Sequence, residues 1–285
     1  MAGPSSRGLR RSVAVAACLV SAAALLTGSA AASKVTGNPL RVLQMNLCDS
    51  GLARCYTGRS VTEAAALIRA DAPDVVTLNE VCQGDVYALG QTMADLYRGA
   101  AVVRAFKPAP DRRTASVTRC RNGELYGIGV LAHIPARYRG YTTYSGTYPT
   151  QDIRDPEQRV WLCVHATAHF YACTTHLAST SSAIALAQCG YLLHTAIPAM
   201  RTRGGYEPTV LGGDLNLTYG GSADVRSCVP SGYPHKDDGA VQHVVATTDF
   251  TVRSTKLIGM DGTTDHPSLL VALTVRAEAA GQRSA

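Results

Sequence analysis

Four short polar clusters stand where apolar runs give out: Met45-Asn46, Asn79-Glu80, Gly213-Asp214-Leu215-Asn216 and Asp265-His266. Amides, carboxylates and an imidazole at strand ends gather oxygen donors of the kind that hold a hard divalent cation, which takes one or two carboxylates and keeps several waters. Asp265 beside His266 adds an acid–base pair suited to moving a proton during hydrolysis. Gly212 and Gly213 let the backbone turn tightly, so Asp214 and Asn216 point to one side, where they could orient a water and a phosphate oxygen. The pattern points to metal-assisted attack of water on a phosphate ester. Taken singly, each cluster has a plainer reading: Glu80 as a solvated strand end, Asn46 and His176 as satisfied strand residues, Asp214 to Asn216 as an Asx turn, Asp265-His266 as a loop. Their joint occurrence is what favours chemistry.

The elements that must position them are readable in outline. Leu40 to Asn46 alternates as a strand, and Val75 to Leu78 is a continuous apolar run expected to be buried on both faces. Between them, Ser60-Val61-Thr62-Glu63 reads as a capping box opening a helix to about Ala70. A second helix is expected from Asp85 to Tyr97 and a strand from Ala100 to Phe106. Residues 107–123 read as a long loop, in which Lys107, Arg112, Arg113, Arg119 and Arg121 face a single acid, Asp111. Strands are then expected at 125–131, 138–145, 159–166 and 169–176, with a hairpin turn near Ala168. A long apolar helix covers Ala183 to Met200, with Gly204-Gly205 past its end. The last strands are expected at Thr209–Gly212, Val241–Thr247, Phe250–Ser254 and Ser268–Val275. Helices among many strands imply an α/β (α+β) fold, a four-layer α/β/β/α sandwich of two packed, mostly antiparallel sheets with outer helices.

Arg7, Arg10 and Arg11 precede an apolar stretch from Ser12 to Gly28, and Ala30-Ala31-Ala32 supplies small residues for cleavage. Residues 1–32 therefore read as a secretory signal and 33–285 as a single domain. A lipoprotein signal ending at Cys18 is the rival, with a shorter apolar core. The apolar stretch is shorter than the ~20 residues a spanning helix needs. Without the leader's three arginines the net charge falls from +6 to +3, so global charge argues only weakly for a polyanionic partner. Eight of the nine cysteines follow the leader, and an even count in an exported chain implies disulfides. Cys163 and Cys173 face each other across the expected hairpin, and Cys48 and Cys55 close a short loop. Cys82 with Cys120, and Cys189 with Cys228, is the pairing that remains. Sulfur-bound metal is the alternative, although the sequence contains no C-x-x-C pair.

In this order the motifs resemble those of the endonuclease/exonuclease/phosphatase superfamily, and within it the deoxyribonuclease I-like, secreted bacterial type. Leu40 to Asn46 resembles the opening strand with its metal-site asparagine, and Asp74 to Glu80 the strand bearing the main metal-binding glutamate. Gly123-Glu124-Leu125-Tyr126-Gly127 is similar to the segment whose glutamate pairs with a catalytic histidine. Thr175-His176-Leu177 resembles that histidine's own motif, and Arg159 falls where the family places a phosphate-contacting arginine. Gly213 to Asn216 and Asp265-His266 resemble the two closing motifs. The resemblance implies that Asn46, Glu80 and Asp265 hold Mg²⁺ (Mn²⁺ or Ca²⁺ as alternatives). It implies further that His266, oriented by a carboxylate and helped by Asp214, takes a proton from water. His176, kept cationic by Glu124, would then assist the leaving oxygen, while Arg159 and Asn216 hold the phosphate.

The chain departs from the family pattern at Gln242, where an aspartate is usual, at Cys82, where the duplex-cutting enzyme has a basic contact, and at Asn122, where it has a groove-contacting tyrosine. These leave the substrate open. The leading expectation is an exported, monomeric Mg²⁺-dependent nuclease acting on DNA or RNA, supported by the basic segment 107–121. A lipid phosphodiesterase of the sphingomyelinase type is the alternative, for which Tyr138, Tyr141, Tyr144 and Tyr148 would form a membrane-facing hairpin. A binding module with a dead site is the third class, resting on Gln242 alone.

Overall fold

The runs of Val, Leu and Ile that lead into the polar clusters become strands, and these fall into two six-stranded sheets. The computed structural model describes residues 1–3, 39–138 and 140–276. Beyond Gly3, the leader expected over 1–32 lies outside the described residues. In chain order the elements begin with β1 (Leu40–Asn46), α1 (Ser60–Asp71), β2 (Val75–Cys82), α2 (Gln83–Leu96), β3 (Ala101–Pro108), β4 (Pro110–Asp111), β5 (Ser116–Val117), β6 (Tyr126–Ile134) and β7 (Tyr141–Thr147). There follow β8 (Val160–Ala166), β9 (Phe170–His176), α3 (Ser182–Tyr191), a π turn (Leu192–Ala196), α4 (Ile197–Gly204) and β10 (Thr209–Asp214). The chain closes with β11 (His235–Asp237), β12 (Gln242–Ala246), β13 (Phe250–Ile258) and β14 (Ser268–Val275).

One sheet runs β13-β14-β1-β2-β6-β3 and the other β11-β12-β10-β9-β8-β7. Among the strands of the described residues, β1 with β2 and β9 with β10 pair in parallel. Three apolar interfaces define the layers. Val42, Val75 and Val130 of one sheet meet Leu162, Val164 and Val210 of the other between the sheets. Leu43, Met45, Leu78 and Leu131 carry α1 and α2 through Ile68, Leu89 and Met93. Tyr171, Leu211 and Val245 carry α3 and α4 through Ala185, Leu192 and Met200. Each central strand thus buries both faces, which is why its sequence reads as a continuous apolar run. The result is the expected four-layer sandwich. Ser182–Gly204 is long and apolar enough to cross a membrane by composition, but its apolar side belongs to the outermost of these interfaces.

All four expected cysteine pairs form: Cys48–Cys55, Cys82–Cys120, Cys163–Cys173 and Cys189–Cys228. Four disulfides fit an oxidising, extracellular environment. Three local expectations fail for identifiable reasons. Ser60 does not cap α1; Arg59 holds that position without a side-chain cap, and the Ser60 hydroxyl donates instead to Asp49 Oδ1 at 3.0 Å. Strand β2 does not stop at Leu78 but continues past a bulge between Leu78 and Val81. Segment 107–123 is not all loop, because β3 runs to Pro108 and β4 pairs with β5.

Candidate active site

The two parallel pairs bring four polar strand ends to one edge of the sandwich. Asn46 lies in register with Asn79 on β1 and β2, and Asp214 with His176 on β10 and β9. Across the gap between sheets, Asn46 Nδ2 donates to Glu80 Oε1 at 2.9 Å and to Asp214 Oδ2 at 3.0 Å. A single amide therefore gathers carboxylates from both sheets. His266, on the turn before β14, places Nε2 3.7 Å from Asp214 Oδ2 and 3.6 Å from Asp265 Oδ1. His176 Nε2 stands 3.9 Å from Glu80 Oε1. These distances exceed a hydrogen bond and leave room for a bridging oxygen. Glu80, His176, Asp214, Asn216 and His266 line an open cavity of about 680 Å³.

Glu80 sits in the bulge with φ of 53°, a left-handed conformation costly for a residue with a side chain. The bulge turns its carboxylate off the strand's regular alternation and into the cavity. Burial pushes the Glu80 carboxyl up from the ordinary range, with Asn46 opposing and Asp214 adding to the rise. Burial likewise raises Asp214, against the hydrogen bond from Asn46 and the charge of His266. Two desolvated carboxylates oriented by one amide offer oxygen donors that suit a hard divalent cation. Glu80 and Asp214 would hold it. Asn46 turns its Oδ1 to the Cys48 N–H at 3.1 Å, so it orients these carboxylates with its Nδ2. Asp265 is 56% exposed and reaches the site through its contact with His266.

The sequence profile of the endonuclease/exonuclease/phosphatase family matches residues 52–266. The chain belongs to that family. Enzymes of the family are hydrolases of phosphoester bonds and generally use divalent ions such as Mg²⁺. The fold is similar to that of the human Nocturnin catalytic domain, solved with a bound sulfate anion (17% identity, 84% of this chain and 94% of that one covered, TM-score 0.61). It is similar also to a family protein from Beutenbergia cavernae (20% identity, 84% and 72% covered, TM-score 0.59). The mannosyl-6-phosphatase of Bacteroides thetaiotaomicron has a comparable fold (13% identity, 82% and 99% covered, TM-score 0.56). At such identities the likeness speaks to the fold alone. No curated protein matches the chain.

Within this family frame, several residues take positions other than those expected. Glu124 does not pair with His176. It is exposed and accepts the Gly84 N–H at 2.8 Å, at the N-terminus of α2, where the helix dipole favours a carboxylate. His176 is met by Arg159, whose Nη1 lies 2.8 Å from Nδ1. A guanidinium only donates, so Nδ1 is unprotonated and Nε2 carries the hydrogen. Burial and the Arg159 charge hold this histidine well below its ordinary pKa, so it is neutral, not cationic. Arg159 is 4% exposed and committed further to Asp155 Oδ2 at 2.8 Å and Glu157 Oε1 at 3.1 Å. It also lines the cavity, beside His176. Asn216 lines the cavity as expected, with Nδ2 donating to Leu177 O at 2.9 Å.

Gln242 donates through Nε2 to Asp214 Oδ2 at 3.0 Å and accepts from Gln44 Nε2 at 2.8 Å. An aspartate there would set a further carboxylate against Asp214; the amide stabilises the charge instead. Asp237 and Asp238 serve turn backbone N–H groups at Gly239 and Ala240, and among the described residues neither is ion-paired with His266. The network extends through Asn79 to Gln44 and Thr77, two residues that the sequence patterns do not single out. Asn79 Oδ1 accepts from Gln44 Nε2 and from the Asp214 N–H, both at 2.7 Å. Gln44, Thr77, Asn79 and Gln242 are all 0% exposed. The available signal was Gln44 and Asn46 two apart on an otherwise apolar strand, which places two amides on one face.

Proposed function

We propose that this protein is an exported, divalent-metal-dependent phosphodiesterase whose substrate is a nucleic acid. The observation that carries the reading is the composition of the cavity: Arg113, Arg119 and Arg154 line it together with Glu80, Asp214 and the two histidines. Guanidinium groups sharing one cavity with a metal-suited pair of carboxylates fit a polyanion with one phosphate at the carboxylates and its neighbours on the arginines. A bound divalent cation would supply Lewis-acid stabilisation of charge growing on a phosphate oxygen. Asp214 and His266 orient the attacking water and take its proton. The neutral His176 donates from Nε2 to a phosphate oxygen, and Asn216 offers its amide to the same group. Asn46, Arg159 and Gln242 hold these residues in place.

The lipid reading finds little support in the tyrosines. Tyr148 is 3% exposed, Tyr138 stacks on His169 at 4.1 Å, and Tyr144 packs against the core beneath α3 and α4. Of the four, Tyr141 alone is exposed, at 56%. A direct test incubates the mature protein, with and without Mg²⁺, with plasmid, single-stranded DNA, RNA, sphingomyelin and a phosphomonoester. Mg²⁺-dependent cleavage of a nucleic acid is expected; cleavage of sphingomyelin or the monoester alone overturns the substrate assignment.

A further inference from the structure

The edge strand β11 carries chemistry that the cavity does not use. His235 and Asp237 are two apart on β11, and Asp237 pairs with His243 of β12. Side chains at such positions share one face of a sheet, opposite the face from which Gln242 reaches Asp214. Their ligating atoms all lie within 4.8 Å of one another. His235 Nε2 is 2.8 Å from His243 Nδ1, and the outer nitrogens are also engaged. His243 Nε2 lies 2.8 Å from the Leu217 carbonyl oxygen, and His235 Nδ1 lies 2.8 Å from the Tyr219 hydroxyl.

A carbonyl only accepts, so His243 carries its hydrogen on Nε2 and turns a lone pair on Nδ1 toward its neighbour. His235 fills that position by donating from Nε2. Moving the one hydrogen of His235 to Nδ1, with the Tyr219 hydroxyl turned to accept it, leaves two imidazole lone pairs facing each other. Asp237 Oδ1 accepts the Gly239 N–H at 2.8 Å, leaving the other carboxylate oxygen to join them. Two imidazoles and a carboxylate, each imidazole held from behind by a hydrogen-bond acceptor, match the ligand set and outer support of a tetrahedral zinc centre with one open position.

We propose that His235, Asp237 and His243 bind a borderline divalent cation, Zn²⁺, at a site separate from the carboxylates at Glu80 and Asp214. Accommodation requires the two nitrogens to part from 2.8 Å to about 3.3 Å, the separation set by metal–nitrogen bonds of roughly 2.0–2.1 Å in a tetrahedron. The site clasps the segment that leaves Asn216 and returns at Gln242, and so would brace the wall behind Asp214. It stands independently of the reading given to the cavity.

The test uses the mature chain, stripped with chelator and titrated with Zn²⁺ or with Co²⁺ as a spectroscopic probe, in excess Mg²⁺ to occupy the hard site. One equivalent of Zn²⁺ per chain is expected by metal analysis, and Co²⁺ should give the visible absorption of a low-coordinate nitrogen–oxygen site. His235→Ala should weaken Zn²⁺ binding about 100-fold or more. Tyr219→Phe, which removes only an outer support, should weaken it roughly tenfold. Glu80→Gln should retain the full equivalent. Failure of the wild type to hold Zn²⁺ in excess Mg²⁺, undiminished binding by folded His235→Ala, or loss of the equivalent in Glu80→Gln each overturns the proposal.

Discussion

The Arg159 guanidinium stands 2.8 Å from Nδ1 of His176, a buried cation facing a buried imidazole. Burial, and next to it the positive charge that Arg159 would set against a protonated ring, hold the His176 pKa well below its ordinary value. Its folded pKa is depressed, so its contribution to stability is complete above the unfolded value of about 6.5 and declines as pH falls below it. The slope from this residue is about 1.4 kcal/mol per pH unit until the folded pKa is reached. His176→Gln keeps an acceptor for Arg159 and removes the titration. Urea midpoints measured between pH 7 and 5 should fall less steeply in the variant. Equal slopes, or imidazole nitrogen shifts of a cation at pH 6.5, would refute the assignment.

Glu80 has the opposite sign. Its folded pKa is raised, so its favourable contribution is present below the unfolded value and lost as pH rises through the folded one. Ionising Glu80 in the folded apo-protein therefore costs stability, and a divalent cation offsets that cost. Glu80→Gln should raise the apo-protein Tm at pH 7 and abolish both turnover and the stabilisation by Mg²⁺. In wild type that stabilisation should reach ~2.7 kcal/mol at a hundredfold excess over Kd. A Tm rise with Mg²⁺ that survives in Glu80→Gln would place the cation elsewhere.

Asp214 and His266 stand 3.7 Å apart, a gap suited to a shared oxygen. His266→Ala should reduce turnover by about 10²–10⁴-fold, the usual contribution of a general acid–base group. Asp214→Asn keeps the acceptor for Asn46 and Gln242 and should cost at least as much with the fold intact by circular dichroism. Near-native turnover in either variant would remove that residue from the mechanism.

The sequence was most informative where one-dimensional pattern and burial coincide. Strands β1 and β14 begin and end where alternation or apolar runs do, because a strand between two packed layers must be apolar along its length. The polar residues closing those runs therefore marked the site. Contacts set by long side chains were not legible. Nothing local distinguishes Arg112, whose guanidinium donates to Ile153 O and Asp155 O, from Arg113 and Arg119, which line the cavity. Glu124 could not be assigned to Gly84 without knowing where α2 begins. Strand β11 is short, polar and at a sheet edge, so it lacked the hydrophobic alternation that identifies longer strands.

That difference among arginines decides the salt experiment. Arg113→Ala with Arg119→Ala should flatten the dependence of log K on log salt for a nucleic acid by ~1–2 units and raise KM more than it lowers kcat. Arg112→Ala should leave the slope unchanged and lower stability, since it leaves two carbonyls without their donor. An unchanged slope in the double variant would separate these arginines from substrate.

Cys82 lies two residues beyond Glu80, and its bond to Cys120 ties strand β2 to the basic segment. The pair closes a loop with sequence separation 38 and packs with Ala109 and Tyr126. Chain entropy gives such a closure about 4 kcal/mol, compared with roughly 2.7 for Cys163–Cys173 at separation 10. Both pairs should appear as linked peptides in maps of the non-reduced protein. Cys82→Ala with Cys120→Ala should therefore destabilise more than Cys163→Ala with Cys173→Ala, although the latter pair is the more deeply buried. Releasing Cys82 also frees the bulge that holds Glu80 in its left-handed conformation, so the same variant should weaken the Mg²⁺ response. Cys163→Ala with Cys173→Ala, on the far side of the second sheet, should leave that response intact. Equal Mg²⁺ responses in the two folded double variants would show that the tether does not position Glu80.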